Sequence, residues 1–530
     1  MLRKIDLKQR MLASVLSSGM LIATFPDLNL EFLAWIAFIP LFFAIDDLKP
    51  RESFLVSYAG GVIFFLGTIY WLIHVTLPGM IAVVLYLAVY FGLFGALFSY
   101  ISSAVKKRSV KNSRYLLFIL APSLWVSMEL LRSNILSGFG WVLISHSQSY
   151  NLPVIQISDI TGAYGVTFLV VMVNMAVFLT IKEVRAKKYD TACLAAALFI
   201  LFISISYGVF RMRNVFTGES IRVAVIQGNI PQDEKWNPNL KEHIISKYEK
   251  LTLEAAKNSV DLVIWPETSV PGFLEDERDL FDRVRDLAVK VNSSILVGTV
   301  RQVREGDLIE YYNSAVIFSN EGRVAGDYDK MHLVPFGEYI PFRAFFSFVE
   351  KFAPVPIGDC TPGKDYKVFS FFIERKSSGD KVSLKWIKKI RFASLICFED
   401  IFPDIAREFV NRGAMFLVNI TNDAWYKYSS APYQHAQNSI FRAVENRVNV
   451  VRAANTGFSC FIDQRGKITE FVRDQGKDIF VDGYAVQDIV LTRTRTLYAR
   501  YGDIFAYACV IYVLLCLTLA FNDTRHRASS

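Results

Sequence analysis

The chain has 530 residues, 52% of them hydrophobic and 20% charged, with a formal net charge of +8. That length holds more than one domain, and the mixture argues against both a purely soluble enzyme and a bare helical bundle in lipid. Six cysteines, at 193, 360, 397, 460, 509 and 516, form no CxxC pair, and no Cys/His cluster has metal-ligand spacing. A Cys360–Cys460 bridge is compatible with the sequence, but free thiols are the simpler reading.

A membrane-spanning helix needs about 20 predominantly apolar residues. Seven candidate runs precede residue 212, near 11–25, 30–46, 54–74, 80–104, 115–131, 163–181 and 192–210, and an eighth covers 504–521. The first follows Arg3, Lys4, Lys8 and Arg10, as a signal peptide would. It ends in Phe25-Pro26-Asp27 with no small-residue cleavage site, so it reads as an uncleaved span. Ionisable residues are sparse in these runs, with Glu129 and His74 near their ends, which disfavours a transporter.

Lys and Arg in short loops orient the spans. Lys49 and Arg51, then Lys106, Lys107, Arg108, Lys111 and Arg114, then Lys182, Arg185, Lys187 and Lys188 fall in alternate loops. Arg525 and Arg527 follow the last span. These loops lie on one side, expected to be cytoplasmic. Residues 212–503 then lie on the opposite face. The basic clusters flank spans, which favours anionic headgroups over nucleic acid as their partner. The expected domains are 1–211 in the membrane, 212–503 outside it, and 504–530 as a last span with a cytoplasmic tail.

Residues 221–500 alternate short apolar runs with helical stretches. Strands are expected at 221–227, 261–265 and 294–300, and at 314–319 and 323–330 around an Asn320-Glu321-Gly322 turn. Others are expected at 392–396 and 415–420, and helices at 240–258, 275–291 and 431–449. This is the pattern of a layered α/β sandwich. The Lys- and Ser-rich stretch 364–391, with a Ser378-Gly379-Asp380 turn, reads as a solvent-exposed insertion. A membrane-surface contact through Lys381, Lys385, Lys388 and Lys389 is the weaker reading.

Three polar residues each follow an apolar strand: Glu267, Lys330 and Cys397. A carboxylate can take a thiol proton, and an ammonium can lower the thiol's pKa and stabilise an oxyanion. The N–H of Phe398 is a candidate second oxyanion donor. A covalent thioester would divide one acyl transfer into two easier steps. Each residue also has a plain structural explanation: a core thiol, a loop carboxylate, a solvated lysine.

The local strings are more specific. WPET at 265–268, KMHLVPFGEYIP at 330–341 and CFED at 397–400 resemble the nitrilase, or carbon–nitrogen hydrolase, superfamily. The match extends to Gln227-Gly228-Asn229, Asn313-Ser314, Asn422-Asp423-Ala424-Trp425, Gln434-His435, Arg442-Ala443, Glu445 and the run 452–457. The membrane part narrows this: PSLWVSMELLRS, GFGWVLISHSQ and TGAYGVTFLV within 122–171 resemble the apolipoprotein N-acyltransferase family. The resemblance covers essentially the whole chain.

It implies an αββα sandwich beside about eight transmembrane helices, multi-pass in a bacterial inner membrane, with the catalytic domain periplasmic. It implies Glu267 as general base, Lys330 as oxyanion stabiliser and Cys397 as nucleophile. Glu338 and Glu399 would support them, and Trp236 and Trp425 would border the lipid cavity. It also implies a phospholipid acyl donor, a diacylglyceryl-apolipoprotein acceptor, and no metal or cofactor; a monomer is expected. His332 and His435 are read as structural rather than as half of a Cys–His dyad. The sequence departs from the family at Phe398, where Tyr is frequent, at Tyr426-Lys427, and in the length of 364–391. A membrane-tethered amidase acting on a soluble compound, and a scaffold with a dead hydrolase domain, remain the rivals.

Overall fold

The computed structural model describes residues 6–107, 113–213, 218–306, 308–340, 359–376, 385–493 and 495–528. It divides into one unit of Met1–Asn214 with Tyr501–Ser530 and a second of Val215–Arg500.

The first unit is helical. Five of its described helices are long and apolar enough to cross a membrane: Leu77–Lys106, Ser113–Ser137, Ala163–Arg185, Ala192–Arg213 and Ile504–Phe521. Helices Leu7–Ile22 and Pro50–Thr68 accompany them. The run expected as a single span at 30–46 is broken into a 3-10 turn, Glu31–Trp35, and a short helix, Ile39–Ile45. Pro40 sits in the first turn of that helix, and Asn174 supplies the hydrogen bonds lost at the break: its Nδ2 donates to Ala34 O and its Oδ1 accepts from Phe38 N. Small residues let helices approach closely here, as at Ser18, whose hydroxyl donates to Gly60 O at 2.7 Å.

Glu129 departs from its expected place. It lies inside the helix Ser113–Asn134, only 4% exposed, and its carboxylate accepts from Trp125 Nε1, Ile144 N and Thr167 Oγ1. Arg132, on the same helix, donates to Phe139 O and Trp141 O. These groups bond one element to another, so two ionisable residues sit buried inside this helix rather than at its end.

The second unit holds two six-stranded sheets among its described residues. One runs β12-β1-β2-β3-β4-β5, with β1 Ser220–Gln227, β2 Leu262–Ile264, β3 Ser294–Glu305, β4 Leu308–Phe318, β5 Val324–Asp329 and β12 Gly483–Val490. The other runs β11-β10-β9-β8-β7-β6, with β6 Phe369–Lys376, β7 Lys385–Ile396, β8 Phe416–Thr421, β9 Asn449–Ala454, β10 Cys460–Ile462 and β11 Ile468–Phe471. β1, β2 and β3 pair in parallel, as do β7, β8 and β9. Parallel strands covered on both faces need continuous apolar sequence, which is why VAVI, LVI and FLV read so clearly as strands.

Helices Lys241–Ala256 and Arg278–Val291 cover the first sheet, burying Ile244, Tyr248, Leu280 and Val284 against Val263, Trp265 and Ile295. Helices Pro403–Asn411 and Ala431–Asn446 accompany the second. The inner faces meet where Ser459 Oγ of the second half donates to Gln227 Oε1 of β1, giving the expected αββα order. Cys360 and Cys460 are both free.

The stretch read as an exposed insertion is corrected. Residues 369–376 and 385–391 form the β6–β7 hairpin, with Phe369, Phe371 and Ile373 buried. Its alternating pattern was masked by the surrounding lysines. The Ser378-Gly379-Asp380 turn and Lys381 lie outside the described residues.

Trp265, fully buried, stacks on Tyr248 at 5.0 Å and donates Nε1 to Thr252 Oγ1 at 2.9 Å. Trp265→Ala should cost about 3–5 kcal/mol and lower the melting midpoint of the detergent-solubilised chain by several degrees. A midpoint within a degree of the parent would contradict this packing.

Candidate active site

The three candidate residues follow strand ends in both sheets. Glu267 follows β2, Lys330 follows β5 and Cys397 follows β7. All three are nearly enclosed, with exposures of 6%, 1% and 8%. Lys330 N donates to Asn313 O of β4, which fixes the lysine beside that asparagine.

Lys330 Nζ lies 2.9 Å from Glu338 Oε1 and 3.6 Å from Glu267 Oε1. Asn313 Nδ2 donates to both carboxylates, at 2.7 Å to Glu267 and 2.8 Å to Glu338. Glu338 is held in turn by the N–H of Val334. Asn313 enters the sequence motif, but its role as a shared donor needs the β4–β5 pairing to become visible.

Burial alone would lower the Lys330 pKa. Glu338, Glu267 and Cys397 outweigh that effect and raise it well above the ordinary value, so the ammonium is firmly charged. The Cys397 thiol moves the other way from the expectation. Burial first, then the charge of Glu267, push its pKa well up, and Lys330 only partly opposes them. The resting group is therefore a thiol, which makes a proton acceptor necessary.

Cys397 has a left-handed backbone, with φ of 53°, a conformation that costs a non-glycine residue of order 1 kcal/mol or more. The surrounding turn over-determines it. Glu399 Oε2 accepts from Ile396 N, and its Oε1 accepts from Tyr328 OH, Met331 N and His332 N. Glu399 thus ties the nucleophile turn to the segment after Lys330. Burial raises its pKa to about 7 against those donors. Phe398 is buried beside Phe402 and His332.

A second amine was missed in the sequence. Lys235, 2% exposed, donates Nζ to the backbone O of Glu267 at 2.9 Å. Burial lowers its pKa to about 8, against the pull of Glu267 and Cys397. In the string Asp233-Glu234-Lys235-Trp236 it looks like one more loop charge. Trp236 next to it lines a cleft of about 370 Å³ with Pro271, Phe273 and Tyr311. Trp425 lies off this cleft, 39% exposed in the turn Asp423–Tyr426.

Asp423, at the head of that turn, is fully buried. Its desolvation is outweighed by Arg452 and His435, and its pKa falls to about 2. The folded value is depressed, so its contribution to stability is complete above the ordinary carboxylate range and fades as pH falls toward 2.

A carboxylate, an ammonium and a thiol at the strand ends of paired α/β sheets are the arrangement expected of a carbon–nitrogen hydrolase domain, here joined to long apolar helices. Family profiles agree: Carbon-nitrogen hydrolase matches residues 222–495, and Apolipoprotein N-acyltransferase N-terminal domain matches residues 17–176. A protein of Geobacter metallireducens named Apolipoprotein N-acyltransferase is 37% identical over 96% of this chain and 95% of its own length. One of the same name from Chlorobaculum tepidum is 29% identical over 94% of this chain and 93% of its own. Among solved structures, a nitrilase-superfamily amidase mutant from Nesterenkonia AN1 aligns over 55% of this chain and 97% of its own, with a TM-score of 0.38 and 17% identity. The chain belongs to the apolipoprotein N-acyltransferase family and is an acyltransferase.

Asn313→Asp would remove the shared donor and set a third carboxylate against two others. Acyl-transfer activity should fall roughly 10- to 100-fold with the fold intact by circular dichroism. Parent-level activity would show that the shared amide is dispensable.

Proposed function

We propose that this enzyme moves a fatty acyl group from a phospholipid to the α-amino group of an N-terminal diacylglyceryl-cysteine on apolipoproteins, through an acyl-thioester on Cys397. The carrying observation is the convergence of Glu267, Asn313, Lys330 and Glu338 around a buried thiol that is protonated at rest.

In the first half-reaction Glu267 accepts the Cys397 proton as sulfur attacks the ester carbonyl. The ammonium of Lys330 and the N–H of Phe398 receive the developing oxyanion. The tetrahedral adduct collapses, the ester C–O bond breaks, and Glu267 returns the proton to the departing lysophospholipid oxygen. In the second half the acceptor amine attacks the thioester and Glu267 takes its proton. The C–S bond breaks, and the thiol is restored beside a new amide. Glu338 and Asn313 hold the charges in register, and Glu399 holds the nucleophile turn. No metal or diffusible cofactor is needed.

The same reading makes 1–211 and 504–530 a membrane domain of eight spans in a bacterial inner membrane, with 212–503 on the periplasmic side and the chain acting as a monomer. Five helices of spanning length and the charge asymmetry of the loops support it. Helices Leu7–Ile22 and Pro50–Thr68 and the broken segment 31–45 would complete the eight. Two lipid-anchored substrates explain why a hydrolase-like site is joined to such helices. Trp236, with the cleft it lines, is the candidate acyl-chain contact, and Trp425 a candidate contact at the bilayer surface.

Intact-mass analysis after exposure to phospholipid vesicles should show a fatty-acyl adduct that Cys397→Ala abolishes. Glu267→Gln should slow its formation roughly 10²- to 10⁴-fold. Active protein that never carries an adduct would overturn the thioester mechanism and favour a tethered amidase.

A further inference from the structure

Below Cys397 lies a polar cluster that the mechanism does not use. His435, from helix Ala431–Asn446, is completely buried. Its Nδ1 is 2.9 Å from Asp423 Oδ1. Its Nε2 is 3.0 Å from Asp400 Oδ1 and 3.2 Å from the backbone O of Cys397. Arg452 of β9 closes the group, 3.3 Å from Asp400 Oδ2 and 2.9 Å from Asp423 Oδ2. Ser439 donates to Asp400, and Asn419 donates to Cys397 O.

We propose that His435 is held permanently as an imidazolium and acts as a positioning residue, locking the left-handed Cys397 backbone within a charge-neutral cluster of Asp400, Asp423 and Arg452. The argument rests first on hydrogen counting. A neutral imidazole has one N–H and one bare nitrogen. Here both ring nitrogens face oxygen acceptors, and both carboxylates already pair with Arg452. Either neutral tautomer would set a lone pair against a carboxylate or carbonyl in a site closed to water. Protonation at both nitrogens removes that conflict.

Charge counting gives the same answer. Two carboxylates and one guanidinium sum to minus one, and the imidazolium brings the sum to zero. Without it, a net negative charge would sit under the sulfur where a thiolate must form. The titratable groups around the ring are Asp400 from the nucleophile turn, Asp423 from the turn after β8, Arg452 from β9, and Cys397. Arg442 and Glu445 on its own helix pair with each other. Burial and Arg452 act to lower the His435 pKa, and the two aspartates outweigh them and raise it.

The cluster also excludes His435 as the base. Its Nε2 is committed to the Cys397 carbonyl, with Asp400 Oδ1 3.0 Å away, and as an imidazolium it has no lone pair to offer. Its effect on catalysis is geometric and electrostatic. It joins the turns after β7 and β8 to β9 beneath Cys397, whose backbone is left-handed.

The test is the pH dependence of Cys397 alkylation by iodoacetamide in the full-length protein in nanodiscs, with Cys397→Ala as the blank for the other cysteines. His435→Gln should raise the midpoint by about one pH unit or more and lower kcat roughly 10- to 100-fold with little change in KM. Asp400→Asn added to His435→Gln restores neutrality and should move the midpoint back toward the parent value. An unmoved midpoint in His435→Gln, or no return in the double variant, overturns the proposal; the second outcome is what a histidine base or a purely structural role would give. If the variants do not fold, nitrogen NMR of the histidine-labelled parent decides. One of its six histidines should keep both ring nitrogens protonated at about pH 8, and a bare nitrogen on every histidine there overturns the assignment. The inference rests on Cys397 as nucleophile. Alkylation and NMR read the thiol and the ring whatever the acyl donor, so their failure is separable from failure of the thioester trap.

Discussion

Glu267 and Glu338 are two carboxylates gathered around one buried ammonium, that of Lys330, and the site stands on that pairing. A buried charge without a partner would neutralise itself instead. Lys330 supplies the opposite charge, and the Asn313 amide donates one bond to each carboxylate. This demand fixes much of the first sheet. Lys330 must leave β5 next to Asn313 on β4, and Glu267 must arrive from β2 across β3. Gly298 of β3 makes that arrival possible: a Cβ there would lie 2.4 Å from Pro266 O and 2.6 Å from Glu267 Cα. A bare backbone at one strand position thus decides where Glu267 can stand.

The central strands and the meeting of Glu267 with Lys330 were legible because parallel strands demand unbroken apolar runs and α/β folds collect polar groups at their ends. Less legible was everything that depends on partners distant in sequence. Lys235 reads as a surface charge until the fold brings it to the carbonyl of Glu267. Asp400 and Arg452 are 52 residues apart and meet only because β7 and β9 flank β8. The β6–β7 hairpin was hidden for a different reason. It is an edge ribbon, with Phe369, Phe371 and Ile373 on its buried side and Phe372 and Lys389 exposed. Its charge reads as the mark of an exposed insertion, although its residues alternate along paired strands.

The helical unit follows the same rule of compensation in a drier setting. Where the apolar run at 30–46 breaks, Asn174 takes over the orphaned backbone groups, and the three donors around Glu129 do the same for its carboxylate. Hydropathy counts such segments as spans or loop ends because it weighs residues singly. Pairing between elements decides their actual course.

The raised acidity threshold of Cys397 has one more consequence. Oxidants attack thiolates far faster than thiols, and compartments outside the cytoplasm are oxidising. An activated cysteine resting as the anion there would drift toward sulfenic acid or mixed disulfides between turnovers. This sulfur is buried and protonated at rest, and by the proposed mechanism it stays so until Glu267 takes its proton. Its sluggishness at rest is a form of chemical shelter.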